Sequence, residues 1–212
     1  MRSELLLGAL SILLLTGVGI TDAAPVVITN PSFESPVTAT YQSGAPTGWS
    51  GTGSMGVVKG LYALPFIAAD DGDQYAYFNN GGGIWQNLTP VQAGTYTLTF
   101  SAADYGVYGG LVDATAEVII YYGGTSLNVL ASMTDAALPS DSWKPLTLVA
   151  DVPAGHAAIG QNIGVYFHNP GGPDPSQLWI DNVSLDFVPA IPAPGALSLV
   201  LLGLGALRLR RR

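Results

Sequence analysis

The segment Thr95-Tyr96-Thr97-Leu98-Thr99-Phe100-Ser101 alternates without a break, with Tyr96, Leu98 and Phe100 on one face and hydroxyls on the other. A period of two built from β-branched and aromatic residues predicts a half-buried strand. Ala114–Tyr122 is more continuously apolar and predicts a central strand covered on both faces. Further strands are expected at Val26–Thr29, Met55–Lys59, Gln74–Phe78, Gly83–Leu88, Leu127–Met133, Leu146–Asp151, Ile163–His168 and Leu178–Phe187. Glycine-rich turns separate them, among them Asp71-Gly72, Asn80-Gly81-Gly82-Gly83 and Gly123-Gly124. No part of this stretch sustains a 3.6-residue period. About ten short strands with such punctuation imply an all-β fold, most simply a single jelly-roll β-sandwich.

The two ends have a different pattern. Leu5–Ile20 is an apolar run that follows Arg2 and leads into the small residues Ala23 and Ala24. A basic start, a short apolar helix and a small-residue exit predict a secretory signal peptide over residues 1–23. The sandwich then occupies residues 24–188. In residues 189–212 the prolines Pro189, Pro192 and Pro194 precede a second apolar run, Ala196–Leu207, closed by Arg208, Arg210, Arg211 and Arg212. Twelve helical residues reach about 18 Å, short of a hydrocarbon core of about 30 Å, which suits a transient membrane helix. The arginines should stay on the cytoplasmic side. Everything between the two helices is therefore expected across the inner membrane.

That tail resembles the PEP-CTERM sorting signal, with Pro192-Ala193-Pro194 as the proline motif and Ala193 in place of the usual glutamate. The resemblance implies passage through the secretion machinery and processing by an exosortase. It also implies transient residence in the inner membrane, final release to the cell surface or beyond, and association with exopolysaccharide and biofilm.

Charge narrows the partners. Of 212 residues only 10 % are charged, and there is no cysteine. Disulfides, thiolate metal sites and a cysteine nucleophile are excluded. All five arginines fall in the two ends, so the core Pro25–Val188 keeps 13 acidic residues against Lys59 and Lys144, a net charge of −11. Such a domain repels phosphate backbones, and nucleic acid is not an expected partner.

The core carries a second resemblance. Asn30-Pro31-Ser32-Phe33-Glu34, Trp49, Asp71-Gly72-Asp73-Gln74, Trp85-Gln86-Asn87-Leu88, Trp143 and Trp179-Ile180-Asp181-Asn182-Val183 follow one another in the order seen in galactose-binding-like jelly rolls. Many carbohydrate-binding modules have that fold. The resemblance implies a structural calcium shared by Glu34 of the opening motif and Asp181 of the closing one. Calcium takes 6–8 oxygen ligands, which two carboxylates and main-chain carbonyls can supply; the alternative is that Glu34 satisfies backbone donors in a turn and Asp181 starts a bend. Tyr105 and Tyr108, in the loop-like stretch Asp104–Gly110, and Trp49 are the candidate sugar-stacking platforms. Trp85 and Trp179, inside strands, read as core. Asp70–Asp73 reads as a solvated acidic turn.

Enzyme signatures are scarce. Gly51-Thr52-Gly53-Ser54-Met55-Gly56 fits G-x-G-x-x-G but opens no helix, so it reads as a flexible loop. G-x-S-x-G is absent. Glu34 and Glu117 are the core's two glutamates, and His156 and His168 have no evident partner. The expectation is a non-catalytic, secreted or surface-sorted protein that binds extracellular polysaccharide. The alternatives are a purely structural surface protein and a polysaccharide-active hydrolase or lyase.

Overall fold

The structure, a computed structural model, describes residues 22–62, 67–105, 114–124, 128–171 and 176–191. Those between Asp22 and Ala190 belong to one compact unit. They contain twelve strands and no α-helix. The strands are β1 (Ala24–Val26), β2 (Tyr41–Ser43), β3 (Ser50–Thr52), β4 (Met55–Lys59), β5 (Gln74–Asn79), β6 (Gly83–Pro90), β7 (Gly94–Asp104), β8 (Ala116–Tyr122), β9 (Asn128–Asp135), β10 (Lys144–Val152), β11 (Asn162–His168) and β12 (Gln177–Pro189).

Every pairing is antiparallel, and the strands form two sheets. The larger sheet runs β10-β7-β12-β5-β4-β2, with β1 also on β12; the smaller runs β3-β6-β11-β8-β9. The all-β sandwich expected from the periodicity is therefore the observed fold. Tyr96, Leu98 and Phe100 of β7 point into the space between the sheets, where they meet Val118 and Ile120 of β8 and Val165 and Phe167 of β11. Ala114–Tyr122 was expected to be covered on both faces, but up to Ile120 the residues of β8 alternate between buried and half-buried, and only Tyr121 beyond them is buried out of turn. β8 lies next to the edge strand β9, where only one face meets the other sheet.

Two strands escape the hydrophobic pattern. β2 and β3 are three residues each and exposed throughout, so no apolar face marks them. The stretch expected as a loop, Gly51–Gly56, instead ends β3, turns, and begins β4. The irregular chain from Thr29 to Gly48 is held by two buried glutamines. Gln86 accepts from Thr29 N and donates to Thr29 O and Gly48 O. Gln74 accepts from Thr38 N and donates to Phe33 O and Pro36 O. Each glutamine satisfies backbone groups that a strand would otherwise pair.

β12 changes partner half-way. Its first residues, Gln177–Ile180, pair with β5, whereas Leu185–Phe187 pair with β1. Between them a bulge interrupts the ladder to β7 between Asp181 and Ser184, and Asn182 takes a left-handed φ of 53°. A bulge re-aims side chains and breaks pairing. Here it leaves a gap along β12, and Asp181 stands in it.

Candidate active site

Side chains of β12 alternate between two environments. Leu178 and Ile180 enter the core between the sheets, while Trp179 joins a second buried cluster on the outer face of the larger sheet. That cluster contains Val58, Tyr75, Tyr77 and Ala103 as well, with Tyr105 and Trp143 packed against it. The Tyr75 ring centre lies 5.0 Å from Trp179 and 5.3 Å from Trp143, and Tyr105 lies 5.5 Å from Trp179. Gly56, directly across from Tyr77, makes room for that ring; a Cβ there would stand 2.8 Å from Tyr77 Cε1. An outer face open to water is normally polar. This one is an aromatic layer.

Asp181, two residues beyond Trp179 on the same side of the strand, has no solvent exposure. Its Oδ2 accepts from Asp70 N at 2.8 Å and Asp71 N at 3.0 Å, and its Oδ1 accepts from Asn182 N at 2.8 Å. Asp70 in turn accepts from Ser101 Oγ and Asn182 Nδ2. Among the described residues no basic side chain forms an ion pair with Asp181, Asp70 or Glu34. Burial pushes the Asp181 carboxyl up to about 7; the Asp70 charge adds to the rise and the three amides offset part of it. Burial, followed by the charges of Asp181 and Tyr105, also raises the Tyr75 hydroxyl above its ordinary range. That hydroxyl is the one buried side-chain polar atom among the described residues without a hydrogen-bond partner. Orphaned buried groups are costly and mark strain or function.

Beside the aromatic layer lies an open pocket of about 480 Å³. Tyr41, Tyr62, Tyr77 and Tyr105 form its ring-bearing walls, and Ser43, Ser54, Asn79, Ser176 and Gln177 its polar ones. Gln177 and Asp181 are four residues apart on β12, about 13 Å at strand spacing. The pocket and the buried acid therefore share one face, with Trp179 between them.

Glu34 reaches the other end of the turn that caps Asp181. Its Oε1 accepts from Asp73 N and Gln74 N, both at 2.8 Å. A Cβ at Gly72 would collide with this carboxylate. The acidic turn Asp70–Asp73 is exposed, as expected, and its amides also engage both carboxylates, so it acts as a clasp. Among the described residues no three His, Asp or Glu side chains are grouped to hold a metal ion.

Of the expected sugar platforms, Tyr105 lines the pocket. Trp49 does not face solvent: it is 6 % exposed in the main core, with its ring 5.5 Å from Phe33 and 6.0 Å from Phe167. Tyr108 lies outside the described residues, as do Pro192, Ala193, Pro194, Arg208, Arg210, Arg211 and Arg212 and both terminal helices. Trp179 is buried as expected, but in the outer aromatic layer and not in the core between the sheets. Trp85 is only half-buried, against Tyr166 on the outer face of the smaller sheet. His168 does have a partner, Glu117, at 2.8 Å. Tyr75 was not singled out from the sequence. Its signal is that Tyr75-Ala76-Tyr77-Phe78 and Leu178-Trp179-Ile180 are apolar or aromatic at successive positions, which means burial on both faces.

A jelly roll whose outer sheet face carries an aromatic layer, a pocket and an uncompensated buried acid is built like a small-molecule site. Residues 24–186 match the HpiC1-like family, that of the HpiC1 cyclase, and the chain belongs to it. Among solved structures, a cyclase from Fischerella sp. TAU is 25 % identical with a TM-score of 0.64, over 81 % of this chain and 100 % of that one. A Stig cyclase, Fisc, from Fischerella sp. TAU, solved in complex with (3Z)-3-(1-methyl-2-pyrrolidinylidene)-3H-indole, is 23 % identical with a TM-score of 0.65, over 80 % and 100 %. The CBM22-1 xylan-binding domain of Paenibacillus barcinonensis Xyn10C shares the fold at 15 % identity and a TM-score of 0.50, over 81 % and 97 %. No curated protein matches the chain.

Membership of a cyclase family corrects the functional expectation. The chain is an enzyme-family member and not a non-catalytic, biofilm-associated carbohydrate-binding protein routed through an exosortase. The carbohydrate-binding-module likeness was a likeness of fold. Fold alone does not carry function.

Proposed function

We propose that this protein is a cyclase that closes a ring by proton transfer within a neutral, aromatic small molecule, with Asp181 as the proton donor. The observation that carries this reading is the Asp181 carboxyl, fully buried, without a basic partner and raised to about 7, on the same aromatic face as the unpartnered Tyr75 hydroxyl. A carboxyl with that affinity for protons is half-protonated near neutrality, where general acids work best. The substrate's aromatic part sits in the tyrosine-walled pocket and its reactive arm extends past Trp179. Asp181 gives up its proton to a double bond of that arm, and the Tyr75 hydroxyl, which has no hydrogen bond to Asp181 or to any other described residue, is left to turn toward the arm when substrate binds. The cation so formed is faced by the Trp179 and Tyr75 rings, whose π-electrons attract positive charge. A new bond closes onto the cation, a proton returns to the carboxylate, and the product is an isomer of the substrate.

Indole ligands bound to related cyclases support a bicyclic aromatic substrate: one such structure holds 4-(1H-indol-3-yl)butan-2-one. The test is to incubate the full chain with indoles bearing unsaturated side chains. An isomer of unchanged mass with one more ring, absent with Asp181→Asn, is the expected result. No isomer from any of them, with no binding of the indole ketone, would contradict the reading.

A second reading of Asp181 starts from the turn whose amides cap both it and Glu34. Glu34, Asp70, Asp71 and Asp181 offer only hard oxygen donors and, among the described residues, meet no basic side chain, which suits a structural calcium. Calcium would supply charge neutralisation and tie the opening of the chain to β12. In that state Asp181 stays ionised and delivers no proton. A melting temperature several degrees lower in chelator than in calcium would favour it; identical melts would leave Asp181 to the proton.

A further inference from the structure

One rung of the larger sheet fixes the polarity of the pocket. Gln177 lies directly across from Asn79, and the Asn79 amide donates to Ser54 O, so the two strand residues stand beside Ser54 in the turn that leads into β4. Their side chains are linked as well. Trp179 Nε1 donates to Gln177 Oε1 at 2.6 Å, Gln177 Nε2 donates to Asn79 Oδ1 at 2.9 Å, and Asn79 Nδ2 donates to Ser54 Oγ at 2.7 Å. An indole N–H can only donate. It therefore sets the orientation of the Gln177 amide, which sets that of Asn79, and Asn79 requires Ser54 to accept. Among the described residues nothing takes up the Ser54 hydroxyl proton, which is left to the pocket. The second N–H of Asn79 and of Gln177 adds to the same donor-rich wall.

We infer that this wall selects substrates by a neutral hydrogen-bond acceptor, a ketone-type carbonyl, which receives the proton of Ser54. A carboxylate would meet the same donors, but no basic side chain is among the described residues that line the pocket, and the domain as a whole is strongly acidic. A group that is only a donor would face donors. The inference rests on the pocket being the substrate site of the proposed cyclase, and it names the functional group that site reads.

The test uses the full chain and two ligands with one carbon skeleton: 4-(1H-indol-3-yl)butan-2-one and 3-butylindole, which lacks the oxygen. Calorimetric titration is run on the wild type, Ser54→Ala and Asn79→Asp. The carboxylate of the second variant would accept from both Gln177 and Ser54, so the serine stays in place while its proton turns away from the pocket. Both variants should bind the ketone about three- to tenfold more weakly, the worth of one hydrogen bond, and 3-butylindole unchanged. Unchanged ketone affinity in both variants, or weakening in Ser54→Ala alone, would overturn the inference and leave the pocket reading standing. Failure of both ligands to bind the wild type would remove the aromatic-substrate reading and this inference with it.

Discussion

Tyr75 and Tyr121 are two fully buried tyrosines on the outer faces of the two sheets, and they differ in one respect. Tyr121 lies over Gly164, where a Cβ would collide with its ring, and its hydroxyl donates to Asn87 Oδ1 at 2.8 Å. Burial pushes that hydroxyl up to about 12, and no acidic group joins in the shift. The neighbouring Tyr166 stacks on His168, which pairs with Glu117. Tyr75 is packed as tightly, between Trp143 and Trp179, but its hydroxyl has no partner and the nearby acid has no counter-charge. Aromatic residues on an outer sheet face are common to both surfaces. The larger sheet is distinguished by one unsatisfied hydroxyl and one acid without a counter-charge, and a site is better recognised by what remains unpaired than by what is aromatic.

That contrast breaks most sharply at the acid. Asp181→Asn should lower turnover by about 10²–10⁴, the usual worth of a general acid, with circular dichroism unchanged. The same carboxyl governs stability. Its folded-state pKa is raised, so the stability it contributes is complete below its unfolded value of about 4 and is lost as pH rises through about 7. Wild-type protein should be more stable in denaturant at pH 5 than at pH 8, by up to about 3 kcal/mol from this group. Asp181→Asn should flatten that slope.

The tyrosines sharpen the comparison through opposite signs. Tyr75→Phe removes an orphaned hydroxyl and should leave stability unchanged or raise it by about 1 kcal/mol, while turnover falls. Tyr121→Phe strands Asn87, a surface residue, and should cost about 1 kcal/mol with no effect on turnover. Equal effects of the two substitutions on turnover would remove the distinction between the faces. The smallest change is expected from Glu117→Gln, a half-exposed partner of His168 whose loss should cost less than about 1 kcal/mol.

Much of the fold could be read from period-two patterning. Met55–Lys59 matches β4 end for end, and most other strands differ from expectation by a few residues. β2 and β3 were missed because three exposed residues at a sheet edge carry no apolar signature. Asp181 and Tyr105 could be singled out from the sequence, and Tyr105 lines the pocket while Asp181 is buried on the same face, but neither placement was legible. A lone aspartate in a closing strand reads the same whether it caps a turn, holds a metal or stores a proton. The bulge that buries it, and the clasp of amides from Asp70 and Asp71 some 110 residues earlier in the chain, arise only when β12 leaves β5 for β1. The catalytic expectation failed for a related reason. A site of the kind proposed, one carboxyl, one hydroxyl and several rings, has no spacing to recognise.

The central claim is that Asp181 holds a transferable proton near neutrality. Its most direct test is the pH profile of kcat/KM for ring closure in the wild type and in Asp181→Asn. The account predicts a wild-type rate that falls above about pH 7 and a variant with no such limb and little remaining rate. A variant that keeps the wild-type rate and profile would contradict it.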